Sequence, residues 1–406
     1  MLRSLAIVAL SVLVLGCGGS APAVQTFMIS GMLGTPASAI FSANVLRVGA
    51  QIDAVTAPLI LDTGAPLTAL DPAALPALSV PASGTVDSIT VGGLEILKVP
   101  VVSISLGLSN PTSESYLAGL LGGGALLQFS VVLDYQNEQV SIGIPVEPTN
   151  VATPIVTSFN IEGGGFGTLA GSSAQIQIPA TRVILQGDIE GAKHTLLVDT
   201  GASYVVISTE LFSSLSADGR AQLLGLPLTT INGETTARLM RVRTFALGNA
   251  SLSNVVVSDI GDEILKQAGS EVGHNVDGIV GGSYLREFLT TLDYPGRKLT
   301  LAHYDNLDHL DPDEFHQLGF TLVAASSGHR FAVGQVFAGT NAESQGVTAG
   351  DQVVSISQQS LDDLTLAAAS SLLSGAVGAM RPVVFERANQ MISLTVRVDD
   401  LLPPLN

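Results

Sequence analysis

The apolar residues of this chain fall in short runs and not in long or helix-spaced stretches. Val, Ile, Leu and Thr dominate these runs, and Gly, Pro, Asn and Ser interrupt them every few residues. β-Branched residues bounded by turn formers are typical of strands and hairpins. The pattern therefore predicts a mostly β protein.

Two of the apolar runs end in the same tripeptide. PLILDTGAP surrounds Asp62 and TLLVDTGAS surrounds Asp199, 137 positions further on. An Asp at the end of a strand, followed by Thr-Gly, lies in a tight turn where the Gly lets a backbone N–H approach the carboxylate. Two carboxyls held close together cannot easily both ionise, so such a pair offers one acid and one base.

Matching landmarks follow both Asp residues and define an internal repeat. GLLG at 119–122 corresponds to GIVG at 278–281, and each is followed at the same distance by Leu-Asp-Tyr, which ends at Tyr135 or Tyr294. The glycines suit a buried strand that another backbone passes closely. ALLQF and SYLREF predict short amphipathic helices, and VVLDYQNEQVSI and TTLDYPGRKLTL predict hairpins.

This repeat resembles the retropepsin-like aspartic proteases, in the bacterial form that fuses two lobes in one chain. The resemblance implies two pepsin-type β-barrel lobes, at 38–148 and 149–305, and a monomeric aspartic endopeptidase that acts on protein or peptide substrates without a cofactor or metal. It implies hairpin flaps, for which Ala82–Asp87 and Thr229–Thr235 are the candidates. The residues that it implies for the site are the catalytic Asp62 and Asp199, with support from Thr63, Gly64, Thr200, Gly201 and Ser203.

The first lobe departs from the family pattern at two positions. Pro66 stands where the second lobe has Ser203, and Ala118 stands where it has Asp277. Fewer donors to an ionised carboxyl raise its pKa, so we expect Asp62 to carry the shared proton more often. Two alternatives stay open, and these departures support the second of them. The Asp residues can merely cap turns, or the lobes can form an inactive peptide-binding groove in an envelope lipoprotein.

The C-terminal part, at 311–400, resembles a PDZ domain. Leu318-Gly319-Phe320 and the spacing AESQGVTAGDQV carry the resemblance. PDZ domains bind a peptide, usually a C-terminus, as an added strand beside a helix. The resemblance implies that Gly319 and Phe320 lie in the carboxylate-binding loop and that a helix around Leu364–Leu373 forms the opposite wall. A domain that only packs on the lobes is the alternative.

The N-terminus carries a targeting signal. Arg3 precedes an apolar stretch from Leu5 to Leu15, which is too short to span a bilayer comfortably. The ending Val-Leu-Gly-Cys resembles the lipobox of bacterial lipoproteins, which implies a signal peptide at 1–16, a lipid on Cys17 and a tether at 17–37. Cys17 is the only cysteine of the chain, so no intramolecular disulfide can form. Gly18 after the cysteine points by analogy to the outer membrane.

Composition excludes further classes of function. The 406 residues have a net charge of −18, and no basic face for a nucleic acid is evident. The segment HYDNLDHLDPDEFH contains three His among acidic residues, but it lacks a tight His pair and is typical of a solvated linker, so no metal site is predicted. Motifs of serine hydrolases, nucleotide-binding loops and zincins are absent from the sequence.

Overall fold

The computed structural model describes residues 27–110, 116–144, 151–168, 175–230, 233–305, 314–325 and 328–405. The first group of elements, here called lobe 1, is almost entirely β. Its elements are β1 (Ile29–Gly31), β2 (Ala37–Ser42), β3 (Val45–Ile52), β4 (Val55–Asp62), β5 (Thr68–Leu70), β6 (Ser83–Val91), β7 (Leu94–Ser103), β8 (Gly119–Gly122), α1 (Gly123–Leu126), β9 (Ser130–Asp134) and β10 (Gln139–Gly143).

Lobe 2 repeats this order with additions. Its elements are β11 (Ile155–Ser158), β12 (Asn160–Glu162), β13 (Gly165–Thr168), β14 (Gln175–Ile178), β15 (Arg182–Ile189), β16 (Ala192–Val198), β17 (Val205–Ile207), α2 (Thr209–Ser216), β18 (Gln222–Thr230), β19 (Gly233–Leu247), β20 (Ala250–Asp259), α3 (Glu263–Val272), β21 (Gly278–Val280), α4 (Gly282–Leu285), β22 (Phe288–Asp293) and β23 (Lys298–His303). The mostly β fold expected from the apolar pattern is confirmed.

The duplicated landmarks occupy equivalent places in the two lobes. Strand β8, the GLLG string, runs parallel to β4, and β21, the GIVG string, runs parallel to β16. A Cβ on Gly122 would lie 2.2 Å from the carbonyl oxygen of Leu67, and one on Gly281 would lie 2.2 Å from that of Tyr204. Both glycines therefore permit the close backbone approach that their sequence context predicts. The predicted helices form single turns, α1 and α4, which begin one or two residues earlier than expected.

The two predicted hairpins join the lobes into one sheet. Strands β9 and β10 pair in lobe 1, β22 and β23 pair in lobe 2, and β9 pairs antiparallel with β22 across the lobe boundary. A large apolar core extends over both lobes. This shared sheet fixes the relative position of the two lobes.

The flap prediction is wrong for lobe 1. Residues Ala82–Asp87 form no turn: most of them lie in β6 and pair with β7, and the turn of this hairpin is at Gly92 and Gly93. A polar, Gly-containing stretch also suits an exposed edge strand, and Ser83–Thr85 is exposed. In lobe 2, Thr229–Thr235 spans the end of the paired strands β18 and β19, and residues 231–232 between them lie outside the described residues.

The C-terminal unit has the PDZ arrangement of strands and two short helices. Its elements are β24 (His316–Gln317), β25 (Phe320–Ala324), β26 (Phe331–Val336), α5 (Asn341–Ser344), β27 (Gln352–Ile356), β28 (Gln359–Ser360), α6 (Leu366–Ser371), β29 (Met380–Arg387), β30 (Gln390–Arg397) and β31 (Asp399–Asp400). It has its own apolar core, and β25 is an edge strand of its main sheet next to α6.

This unit packs on lobe 2. Phe315, Phe337 and Leu402 share one buried cluster with the apolar side chains of β18. The Arg241 side chain of β19 donates to the carbonyl oxygen of Leu402 at 2.7 Å. The Gln335 amide of β26 donates to the carbonyl oxygen of Leu224 at 2.8 Å. The PDZ unit is therefore attached to the strands that form the flap hairpin of lobe 2.

The predicted signal peptide and Cys17 lie outside the described residues. The predicted tether at 17–37 extends too far, because Ile29–Gly31 forms β1 and pairs with β7. Within the described residues, no helix is long and apolar enough to cross a membrane.

Candidate active site

The two Asp-Thr-Gly turns face each other at the centre of the molecule. Asp62 ends β4 and Asp199 directly follows β16. A Cβ built on Gly64 would lie 2.3 Å from Oδ2 of Asp199, and one on Gly201 would lie 2.8 Å from Cγ of Asp62. Each carboxyl thus packs against the glycine of the other turn, and a side chain at either glycine would displace it.

The two threonines interlock across the lobe boundary. The Thr63 hydroxyl donates to the carbonyl oxygen of Val198 at 2.7 Å, and the Thr200 hydroxyl donates to that of Leu61 at 2.5 Å. Each hydroxyl also accepts the backbone N–H of the opposite threonine, at 3.1 and 3.2 Å. All four bonds are buried, so they hold the two turns in one relative position.

The one-turn helices support the turns from behind. The N–H of Gly123 donates to the carbonyl oxygen of Ala65 at 2.7 Å, and the N–H of Gly282 donates to that of Ala202 at 2.7 Å. The next N–H along each helix donates to Pro66 in lobe 1 and to Ser203 in lobe 2. These bonds use only the backbone, so Pro66 preserves the support although it has no donor of its own.

Both carboxyls are completely buried, and this burial dominates their titration. Desolvation, followed by the negative charge of Asp199, raises the pKa of Asp62 well above its usual value. Desolvation raises the pKa of Asp199 to about 6, although the interaction with the Asp62 carboxyl and the N–H of Gly201 oppose this increase. Gly201 donates to Oδ1 of Asp199 at 2.8 Å, and Ala65 donates to Oδ1 of Asp62 at 3.0 Å. The pair therefore favours a state with one shared proton.

Sequence reasoning missed three residues near the pair. Arg182 is 1 % exposed and its guanidinium forms an ion pair with Glu271 of α3. Its charge lowers the pKa of both Asp62 and Asp199. The Tyr294 hydroxyl is buried without a hydrogen-bond partner among the described residues, and its pKa is raised by burial and by both carboxylates. Tyr294 belongs to a recognised landmark, but only the register of the strands places Arg182 beside the site.

Two predicted features of the site remain predictions. Ser203 is fully buried in the turn after Asp199, and a hydroxyl bond to the outer carboxylate oxygen is not established. The expected position of the shared proton, more often on Asp62 than on Asp199, also stays a prediction, because the pKa values of both carboxyls are raised.

The predicted PDZ residues lie at the start of β25. Gly319 has φ +80°, and a side chain there would meet Thr340 at 2.7 Å. The Phe320 ring is fully buried and packs edge-on against Phe385, so only its backbone can face a ligand. The N–H of Leu318 donates to the carbonyl oxygen of Leu373 just beyond α6, which holds the loop beside the helix.

The His-rich linker is only partly described. His303 bonds the backbone of Tyr304, and His316 pairs with Asp400 at 3.5 Å. The other His and the acidic residues at 306–313 lie outside the described residues. Within the described part of the chain, no group of His, Cys, Asp or Glu is arranged to hold a metal.

The fold and the site define the class of protein. The chain has an aspartic protease-like β-barrel fold followed by a PDZ domain. Residues 185–284 match the aspartyl protease family model, and residues 309–384 match the PDZ domain model. The aspartyl protease match therefore lies within lobe 2.

Among solved structures, the chain is similar to the aspartic proteinase from Irpex lacteus. The two share 16 % sequence identity over 67 % of this chain and 98 % of that chain, with a TM-score of 0.40. No curated protein matches the chain.

Proposed function

We propose that this protein is an aspartic endopeptidase whose single active site uses one carboxyl from each lobe. The observation that carries the proposal is the placement of Asp62 and Asp199, both completely buried and each packed against the glycine of the other turn. Two buried, interacting carboxyls with raised pKa values share one proton over a broad pH range. Such a pair supplies an acid and a base at once.

The proposed reaction needs no covalent intermediate. The ionised carboxylate takes a proton from a water molecule, whose oxygen forms a bond to the scissile carbonyl carbon. The protonated carboxyl donates its proton to the carbonyl oxygen, which gives a neutral gem-diol. The carboxyl that took the water proton then donates it to the amine nitrogen as the C–N bond breaks. The other carboxyl, which gave up its proton in the first step, takes a proton from a hydroxyl of the diol. Both carboxyls return to their starting state.

The buried pair implies a conformational step. Asp62 and Asp199 have no exposed surface, so a substrate reaches them only after a covering segment moves. The β18–β19 hairpin is the candidate flap, because it is a long hairpin of lobe 2 with no counterpart among the described residues of lobe 1. Flaps that open for substrate and close over it are a common way to exclude water from a reaction.

The rest of the chain supports a role at the cell envelope. A lipid on Cys17 would attach the protein to a membrane, and the resemblance of the N-terminus to a lipobox supports this. The PDZ domain would deliver protein substrates or partners by their C-termini, because β25 offers a free edge beside α6. Both halves of the site lie in one chain, so the enzyme would act as a monomer.

The test uses the soluble form that begins after Cys17. It is incubated with a diverse peptide pool from acidic to neutral pH, and the products are read by mass spectrometry. We expect cleavage that disappears in Asp199→Ala and is blocked by a statine-type inhibitor. Absence of cleavage at every pH, with or without a C-terminal peptide for the PDZ domain, would contradict the proposal and favour a peptide-binding protein.

A further inference from the structure

The register of the strands places different residues opposite the two catalytic carboxyls. In lobe 2, Val183 pairs with Val198 on antiparallel strands, so the next position places Arg182 opposite Asp199. In lobe 1, Arg47 pairs with Ile60 on antiparallel strands, and continuing this register by two positions places Val45 opposite Asp62. Directly opposite residues on antiparallel strands have side chains on one face with Cβ atoms about 5 Å apart.

A second observation supports this correspondence between Arg182 and Val45. A Cβ on Gly123 of α1 would meet the side chain of Thr181, which precedes Arg182. A Cβ on Gly282 of α4 would meet Asn44, which precedes Val45. Arg182 and Val45 therefore occupy equivalent positions in the two lobes, and at this position only lobe 2 has a cation. The buried Arg47 of lobe 1 lies two residues further along β3, and its guanidinium donates to the carbonyl oxygen of Tyr116 at 3.3 Å.

Arg182 is held in place by a defined set of neighbours. Nε donates to the Glu271 carboxylate at 2.9 Å, and Nη2 contacts the same oxygen. Glu162 of β12 is its register partner on the other side, and that carboxylate contacts exposed His274. The buried Tyr294 hydroxyl is influenced by the charge of both carboxylates, and it stays neutral at working pH because its pKa is raised. Arg182 is thus the one cation that acts on both carboxyls in the described part of the site.

We propose that Arg182 is a positioning residue that keeps the negative charge of the pair on Asp199, so that Asp199 is the base and Asp62 is the acid. This inference rests on the proposed peptidase function and assigns its two roles. In the first step, a water proton would pass to Asp199 and the proton of Asp62 would pass to the carbonyl oxygen. The apolar Val45 opposite Asp62 gives no such stabilisation of charge, so the protonated form is favoured there.

The test compares the pH dependence of kcat/KM in two variants with opposite expected shifts. Arg182→Met removes the cation, so both limbs of the profile should move to higher pH, by about 1 unit or more. Glu271→Gln leaves the guanidinium but removes its counter-charge, so the limbs should move to lower pH. A pair that only stabilised the fold would reduce activity in both variants and leave the limbs in place. That result would overturn the inference.

A second readout does not depend on peptide cleavage. The carboxyl carbons of 13C-labelled Asp are titrated by NMR, and Asp62→Asn and Asp199→Asn assign the two resonances. We expect Asp199 to ionise at lower pH than Asp62 in the wild type and the gap to narrow in Arg182→Met. An unchanged gap, or Asp62 ionising first, would overturn the inference. If no peptide is cleaved and the gap still narrows, the peptidase proposal fails and the role of Arg182 stands.

Arg182→Met leaves Glu271 without its partner, and this can impair folding. The double variant Arg182→Met/Glu271→Gln removes both charges and serves when the single variant is unfolded. Because the charge of Arg182, and not that of Glu271, is among the main influences on the pKa of both carboxyls, the double variant should still narrow the gap between the two resonances. Arg182→Lys retains the charge and should keep the wild-type order.

Discussion

In the described residues, lobe 1 carries Asp62 on a barrel without a counterpart of the β18–β19 hairpin, whereas lobe 2 carries Asp199 on a barrel with that hairpin, two longer helices and a docked PDZ unit. The elements that touch the carboxyls are nevertheless the same in both lobes: a strand, an Asp-Thr-Gly turn, a Gly-apolar-apolar-Gly strand and a one-turn helix. Two equal turns are enough to build the pair. In our proposals, the surroundings of Asp199 in lobe 2 then determine which carboxyl is charged and how a substrate reaches the pair.

Substitution of the glycines Gly64 and Gly201 should have the largest effect on activity, and it tests whether the two Asp-Thr-Gly turns are equally important. Gly64→Ala would place a methyl group within 2.3 Å of the Asp199 carboxyl, and Gly201→Ala would place one within 2.8 Å of the Asp62 carboxyl. Small displacements of reacting groups cost about 10²-fold in rate. We expect at least this loss of kcat/KM in both variants, with the larger loss for Gly64→Ala.

Gly49→Ala is the matched control, because the described residues leave open space around that position. It should retain activity. Full activity of Gly64→Ala in a folded protein would contradict the placement of the carboxyls.

The two lobes should differ in how far their local stability depends on the packed PDZ unit. Leu402 is fully buried against lobe 2, so Leu402→Ala should cost about 2–5 kcal/mol of local stability. Hydrogen exchange should become faster in β18 to β20 and remain unchanged in the strands of lobe 1. Val377→Ala, at a side chain that is 53 % exposed, is the control and should change neither. Equally faster hydrogen exchange in both lobes would show that packing of the PDZ unit does not stabilise lobe 2 specifically.

The raised pKa values of the pair predict a pH dependence of stability. The folded protein holds a proton that the unfolded chain releases, so this stability is present at low pH and is lost as pH rises through the folded pKa. For Asp199 the window runs from about 3.8 to about 6. Within this window, the free energy of unfolding should fall by about 1.4 kcal/mol per pH unit for each proton that is released on unfolding.

The comparison is made by denaturation across this pH range. In the double variant Asp62→Asn/Asp199→Asn, the free energy of unfolding should lack this part of its dependence on pH. The two single variants should show whether Asp62 and Asp199 contribute unequally to that dependence. Identical slopes in the wild type and the double variant would contradict the raised pKa values.

The threonines should show the smallest difference between the lobes. Thr63→Val and Thr200→Val each remove a buried hydroxyl that donates and accepts across the boundary. Each should cost about 1–2 kcal/mol of stability, and the two losses should be similar. Thr85→Val, on the exposed start of β6, is the control and should be neutral. A large difference between the stability losses of Thr63→Val and Thr200→Val would show that the two threonines do not contribute equally to the lobe interface.

Much of the fold could be predicted because each motif of the repeat is a short, local pattern in the sequence. The apolar runs, the two Asp-Thr-Gly strings and the paired hairpins are local patterns, and they locate the turns that bear Asp62 and Asp199. The same patterns misplaced the lobe 1 flap, because exposed edge strands and turns share polar and small residues.

The charged surroundings of the pair could not be predicted in this way. Arg182 lies 17 positions before Asp199 in the sequence, and only the strand register shows that they are opposite each other. The attachment of the PDZ unit depends on long-range contacts of Phe337 and Leu402 with β18, which no local motif encodes.

The central claim is that one chain supplies both carboxyls of one active site. Its most direct test measures cleavage of one identified peptide by Asp62→Asn, by Asp199→Asn and by an equal mixture of the two folded variants. We predict that each variant loses activity by about 10³-fold or more and that the mixture recovers none, because each chain holds a complete, damaged pair. Activity that survives either substitution, or returns on mixing, would contradict a site built within a single chain.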